Sequence, residues 1–249
     1  MEPPRGTFSI VALDLENGDV GAAVQSKYFN VGAVVTWARV GVGAVATQAA
    51  GRAAYGPEIL ELLLRGLQPS EAMAHALADE RRETRQLGVV DAEGRAAAFT
   101  GRECNEWAGH VTGPGFAFEE TSGALAERLV AALEAAQAAG GDRRGQQSAA
   151  LVVERPGGIP GSREGVDRIV NLRVEDHEEP ICELRRLLEL NTRMRLVLDI
   201  TGLYERREWG AAIPATQTSL ARFPGDAARA DSDFGSLADD PSFRALVEP

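Results

Sequence analysis

The most constraining feature of the chain is near its start. Two apolar runs, Thr7–Asp14 and Val20–Gln25, flank Glu16-Asn17-Gly18-Asp19. An Asn-Gly pair between two such runs supplies both positive-φ residues of a tight hairpin turn, so the first two elements read as antiparallel strands. Residues near the free ends of a hairpin lie opposite each other. Thr7 is therefore expected to meet Gln25-Ser26-Lys27 at one end of the sheet, bringing a hydroxyl beside a lysine. Pro3-Pro4 keeps the preceding segment extended, and Gly6 allows a sharp bend just before Thr7.

The same turn logic carries through the chain. Asn30-Val31-Gly32 leads into a strand over Ala33–Arg39, and Gly41-Val42-Gly43 opens another at Ala44–Gln48. Pro57 suits the first turn of a helix closed by Gly66, and Ser70 reads as the cap of a second helix from Glu71 to about Arg82. Strands follow at Gln86–Val90 and Arg95–Thr100 around Asp91-Ala92-Glu93-Gly94. An amphipathic helix covers Ala124–Ala139, a third strand pair covers Gln147–Val153 and Val166–Val174, and a helix lies near Pro180–Leu198. Hairpin-linked strands make antiparallel sheets, and blocks of helices must cover their faces. The reading is an α+β fold, two sheets face to face between helical layers, over residues 1–198. Residues 199–249, rich in Ala, Gly, Pro and acids, read as a loosely structured extension with one short helix at Pro241–Val247.

Composition narrows the function classes. The formal net charge of −11 argues against nucleic acid and anionic membrane surfaces. Cys104 and Cys182 are far apart and form no CxxC pattern, which fits a reduced, cytoplasmic compartment. The most apolar window, Val31–Ala50, is broken by Trp37-Ala38-Arg39 and by glycines, so no membrane span is expected. Asp176-His177-Glu178-Glu179 has no second histidine at ligand spacing and reads as the polar start of a helix, so no metal is expected. No GxGxxG or phosphate loop occurs, so no cofactor is expected either.

Several motifs in order carry a resemblance. They are Gly6-Thr7-Phe8-Ser9-Ile10-Val11, Gln25-Ser26-Lys27, Val42–Ala49, Arg85–Asp91, Thr100-Gly101, Trp107–His110, Gly140–Ala150 and Leu172–His177. Over about Thr7–Leu198 the chain resembles domain-of-unknown-function family 1028, a group placed in the N-terminal nucleophile (Ntn) hydrolase superfamily. It departs from that pattern at Gly115–Glu120, which passes almost directly to the Ala124 helix with no Gln-Gly-Asn element. The resemblance implies a four-layer αββα sandwich and, at superfamily level, hydrolysis of an amide bond by the residue heading the first strand, whose free α-amine acts as base.

On that reading Thr7 is the nucleophile and Lys27 the cation that tunes its amine. The Gln48 amide or backbone N–H groups at Thr47-Gln48 serve the oxyanion. Asp142 and Arg144 could orient Thr7 or grip a polar substrate, but the favoured reading of the residues is an ion pair pinning their loop, which explains them without a substrate. Ser26, Tyr28, Thr47 and His110, with Trp107, line the substrate site. The expected partners are a small-molecule amide and further copies of the chain in a homo-oligomer. The alternative is a catalytically silent member that binds a small ligand or partner in the same cleft.

Overall fold

The computed structural model describes residues 6–78, 81–104, 108–113, 124–158, 167–205, 208–223 and 241. The chain divides into two compact units, Met1–Ile159 with Glu164–Leu188, and Pro160–Arg163 with Glu189–Pro249. In order the elements are β1 (Phe8–Leu13), β2 (Val20–Ser26), β3 (Thr36–Arg39), β4 (Gly43–Ala49), α1 (Tyr55–Leu64), α2 (Pro69–Ala76), β5 (Arg85–Asp91) and β6 (Ala96–Thr100). Then come α3 (Leu125–Ala138), β7 (Ser148–Glu154), β8 (Arg168–Val174), α4 (Pro180–Glu205) and α5 (Trp209–Arg222).

The first unit holds two antiparallel four-stranded sheets, ordered β1-β2-β7-β8 and β3-β4-β5-β6. Side chains alternate across each strand, so successive residues join different apolar clusters. Val11, Val24, Ala44, Ala46, Val90 and Val152 meet in one cluster contributed by both sheets. Ala12, Ala23, Leu151 and Val153 pack with Leu129 and Leu133 of α3 and with Leu184 of α4. Val45, Leu87 and Val89 pack with Ile59 and Leu63 of α1 and with Met73 of α2. Gly56 seats α1 on β3, because a Cβ there would stand 2.2 Å from the Trp37 ring.

Local chemistry corrects several expectations. The first turn is longer than a two-residue hairpin: Leu13 pairs with Val20, and the Asp14 N–H donates to the Asp19 carbonyl at 2.7 Å. The Asn17 side chain accepts the Asp19 N–H at 2.8 Å, so Gly18 (φ 76°) takes the left-handed conformation and Asn17 does not. The strand expected from Ala33 starts at Thr36, after a 3-10 turn at Val31–Ala33 that follows left-handed Asn30. Helix α2 is capped by Gln68, which forms a reciprocal capping box with Glu71, and Ser70 lies inside the helix.

In the second unit, α4 continues past Leu198 to Glu205, and α5 lies within the stretch read as loosely structured. Helix α5 forms despite Pro214, and its Ala212, Thr216 and Ser219 are buried. The short helix expected at Pro241–Val247 lies outside the described residues apart from its first position. Among the described residues no helix is long and apolar enough to cross a membrane.

Candidate functional site

Thr7 heads β1, the edge strand of its sheet, and the β1–β2 register places it beside Ser26. The Thr7 Oγ1 and Ser26 Oγ atoms are 2.7 Å apart and hydrogen-bonded. Ser26 is fully buried, and its Oγ also accepts from Arg144 Nη2 at 3.2 Å. Arg144 arrives on the loop between α3 and β7, where Gly140 (φ 124°) and Gly141 (φ 53°) turn the chain back toward the sheet.

The same loop inserts Asp142, which is only 3% exposed. Its carboxylate accepts the Lys27 N–H at 3.0 Å and the Gly6 N–H at 3.4 Å, tying the end of β2 to the residue before Thr7. It also takes the Arg144 N–H and Nε, both at 3.0 Å, and Arg144 Nη2 at 2.5 Å. Burial alone would raise this carboxyl. The Arg144 guanidinium and the two backbone N–H groups outweigh burial, and the carboxyl lies below its ordinary value.

Thr7 and Gln25-Ser26-Lys27 thus come together as the hairpin requires, but the lysine ammonium does not join them. Lys27 is exposed, and its Nζ donates to the Gln146 carbonyl at 3.1 Å. Adjacent strand residues face opposite ways, so if Ser26 faces Thr7 then Lys27 faces away. Among the described residues, Arg144 is the cation that contacts the Thr7–Ser26 pair, through Ser26. Asp142 and Arg144 form the ion pair that pins their loop and also reach the hydroxyl pair.

A second network fixes the Thr7 backbone. Gln48 Nε2 donates to the Thr7 carbonyl at 3.0 Å and to Gln86 Oε1 at 2.8 Å, while Gln48 Oε1 accepts from Ser9 Oγ at 2.7 Å. Gln48, Gln86 and Thr100 stand directly opposite one another on β4, β5 and β6. Gln86 Nε2 passes the chain on to Thr100 Oγ1 at 3.2 Å and the Gly109 carbonyl at 2.8 Å, and Thr100 Oγ1 meets His110 Nδ1 at 2.9 Å. The Thr47 N–H is committed to the Val35 carbonyl at 3.1 Å. Both side-chain protons of Gln48 are likewise engaged, so in this state Gln48 positions Thr7.

Two cavities meet at Thr7. One, of about 660 Å³, is lined by Gly6, Ser9, Gln86, Cys104 and Arg143 among others. The other, of about 420 Å³, is lined by Ser26, Tyr28, Thr47, Arg81 and Arg85. Thr7, Gln48, Ala49 and Arg144 line both. Ala49 adopts φ 67°, a conformation that costs a non-glycine residue energy and that turns the end of β4 between the two cavities. His110 lies apart from both, beside a smaller cavity of about 120 Å³. Trp107 is outside the described residues.

Sequence reasoning missed Ser9, Gln86, Arg81 and Arg85. Ser9 was detectable, since it shares a strand face with Thr7; the others depend on the register of the second sheet. Among the described residues no three His, Cys, Asp or Glu side chains form a metal-binding group. His177 Nδ1 accepts the Glu179 N–H at 2.9 Å just ahead of α4, a local turn contact.

The model of a family of unknown function, DUF1028, matches residues 7–119 and 115–184, two segments that overlap at the Gly115–Glu120 departure. A crystal structure of protein SPO2555 from Silicibacter pomeroyi, also carrying the DUF1028 family model, is 34% identical. The match covers 75% of this chain and 86% of that one, with a TM-score of 0.67. No curated protein matches.

Proposed function

The chain belongs to the DUF1028 family of unknown function, and from that premise we propose that it is an amidohydrolase of the N-terminal nucleophile kind with Thr7 as nucleophile. The three apolar clusters, taken in the order helices, sheet, sheet, helices, support the αββα arrangement of that superfamily. The observation that carries the proposal is the Thr7 hydroxyl itself. It heads an edge strand where two cavities meet, hydrogen-bonded to a buried serine that a guanidinium holds in place.

The chemistry proceeds in two stages. In the first, Thr7 Oγ attacks the Gly6 carbonyl, the Gly6–Thr7 C–N bond breaks, and the leader is carried as an ester on Thr7. The hydroxyl proton passes to the Thr7 nitrogen as that C–N bond breaks, freeing the α-amine, and water then hydrolyses the ester to a carboxylate on Gly6 and a restored Thr7 hydroxyl. In the second stage the amine takes the Thr7 hydroxyl proton as Oγ adds to the substrate carbonyl, and it returns a proton to the departing amine as the C–N bond breaks. Water then cleaves the acyl ester and regenerates Thr7. An α-amine ordinarily titrates at ~8, so a usable fraction is in the basic form at neutral pH.

One observation favours the rival, a silent member that holds a ligand in the same cleft. The Thr47 N–H and both Gln48 side-chain protons, donors expected to serve an oxyanion, are already engaged. Turnover of a panel of small amides decides between the two. Thr7→Ser should keep measurable activity and Thr7→Ala should lose it, with both variants melting like the parent. Turnover unchanged in Thr7→Ala removes Thr7 from the chemistry.

A further inference from the structure

Strand β1 is the edge of its sheet, so one side of its backbone has no neighbouring strand. The hairpin register decides which groups lie on that side. The Asp14 N–H reaches the Asp19 carbonyl, so these two residues form a hydrogen-bonded pair. Such pairs alternate along an antiparallel ladder, so Ala12, Ile10 and Phe8 also direct their N–H and C=O groups to β2. The N–H and C=O groups of Thr7, Ser9 and Val11 therefore point away from β2. Gln48 Nε2 meets the Thr7 carbonyl there, a side-chain amide placed as the N–H of a ligand would be. The backbone groups of Ser9 and Val11 have no hydrogen-bond partner among the described residues, although Val11 is buried and Ser9 half-buried. Backbone polar groups withdrawn from water cost free energy until something pairs with them.

This free edge is bordered by cavities along its length. Thr7, Phe8 and Ser9 line the one of about 660 Å³, and Ser9, Ile10 and Val11 line the one of about 120 Å³. The smaller cavity is apolar at Ala46, Leu87 and Ala97, and a Cβ on Gly88 in its wall would meet only Val11 Cγ2, at 3.8 Å. From Thr7 to Val11 the edge runs roughly 13 Å at ~3.3 Å per residue, the length of about four residues of strand. Donors and acceptors repeating every second residue along an open edge match the backbone of an extended peptide. We infer that the free edge of β1 is a peptide-binding site, to which an extended peptide adds as a further strand with a small apolar side chain in the smaller cavity. The amides processed at Thr7 are then those of peptides. That last step rests on Thr7 being the nucleophile; the strand pairing does not, because it requires no chemistry.

The test is calorimetric titration of the full-length Thr7→Ala chain, which leaves the probe uncut, with acetyl-Ser-Val-Ser-Val-Ser-amide. Two further probes carry backbone N-methyl groups, one on both valines and the other on the third and fifth residues. Alternate N–H groups of a strand lie on opposite edges, and a peptide added to β1 pairs through one edge. One methylated probe should therefore bind at least about tenfold more weakly than the unmethylated peptide, and the other within about twofold of it. Ser9→Pro, in the same background, removes an outward N–H and leaves the β1–β2 ladder intact, a change that edge strands tolerate. It should weaken the unmethylated peptide about tenfold relative to Ser9→Ala, which keeps that N–H. If Ser9→Pro fails to melt cooperatively, the methylated probes still decide. No binding of the unmethylated peptide at millimolar concentration, equal affinity for all three peptides, or an equal loss in both methylated ones overturns the site. The two readings fail separately. Edge-selective binding by a protein whose parent chain turns over no amide removes the hydrolase and keeps the peptide site. Amide turnover by the parent chain, with the three peptides bound alike, removes the peptide site and keeps the hydrolase.

Discussion

Replacing Asp142 by Asn tests the framework around Thr7 with almost no change of shape. The carboxylate is buried and receives the Lys27 and Gly6 N–H groups, the Arg144 N–H and two bonds from the Arg144 guanidinium. An amide in its place turns one acceptor into a donor facing other donors and removes the countercharge of Arg144. Breaking a buried ion pair costs about 3–5 kcal/mol. The Arg144 side chain keeps 27% exposure, so its stranded charge is partly hydrated, and about 2–4 kcal/mol is expected. For a chain of this size that corresponds to a fall in Tm of roughly 4–16 °C. The pH dependence follows from the sign of the shift. A carboxyl held below its ordinary value stabilises the fold above the unfolded pKa, near ~4, and that contribution is lost as pH falls through the lower folded value. The parent should therefore lose stability below about pH 4, and Asp142→Asn should lack that part of the acid limb. Urea titrations from pH 3 to 7, followed by circular dichroism, read both effects. A loss under about 1 kcal/mol at pH 7, or an acid limb identical in both proteins, refutes the assignment of Asp142 as the ionised clamp.

Other perturbations have equally definite outcomes. Ser26→Ala removes the partner of the Thr7 hydroxyl and strands one Arg144 donor, so unfolding should shift by about 1–3 kcal/mol and kcat should fall with little change in KM. Gln48→Leu leaves the Thr7 carbonyl, Ser9 and Gln86 without the amide that joins them. Chemical denaturation should show a loss of about 1–3 kcal/mol, and an unchanged midpoint would mean that Gln48 does not hold Thr7. Gly56→Ala drives a methyl into the Trp37 ring and should lower stability by about 1–3 kcal/mol, read as a drop in Tm; a gain would mean that α1 sits off β3 as packed here.

What the sequence made legible was local. The pairings of β1 with β2, β5 with β6 and β7 with β8 follow from glycine-marked turns between β-branched runs, and the meeting of Thr7 with Ser26 follows from hairpin geometry alone. The details that failed were set by contacts a local pattern does not contain. Asn17 escapes the left-handed region because its side chain closes a longer loop. Ser70 yields the cap to Gln68 because Glu71 completes the reciprocal pair. Lys27 adjoins Ser26 in the chain, yet its ammonium turns to the Gln146 carbonyl, and Arg144, 118 residues after Ser26, reaches the serine hydroxyl instead. The Gln48–Gln86–Thr100 row appears only once β4, β5 and β6 are in register. Helix α5 was hidden by its Gly, Ala and Pro content, which reads as loop when few large apolar side chains mark a buried face.

The claim on which the rest depends is that Thr7 becomes an N-terminal residue. The most direct measurement is the intact mass of the purified protein together with N-terminal sequencing, made in parallel on Thr7→Ala. The account predicts a mature chain that begins at Thr7 in the parent and an uncut chain in the variant. A parent chain that still carries the residues before Thr7, with the same mass pattern as Thr7→Ala, would contradict it.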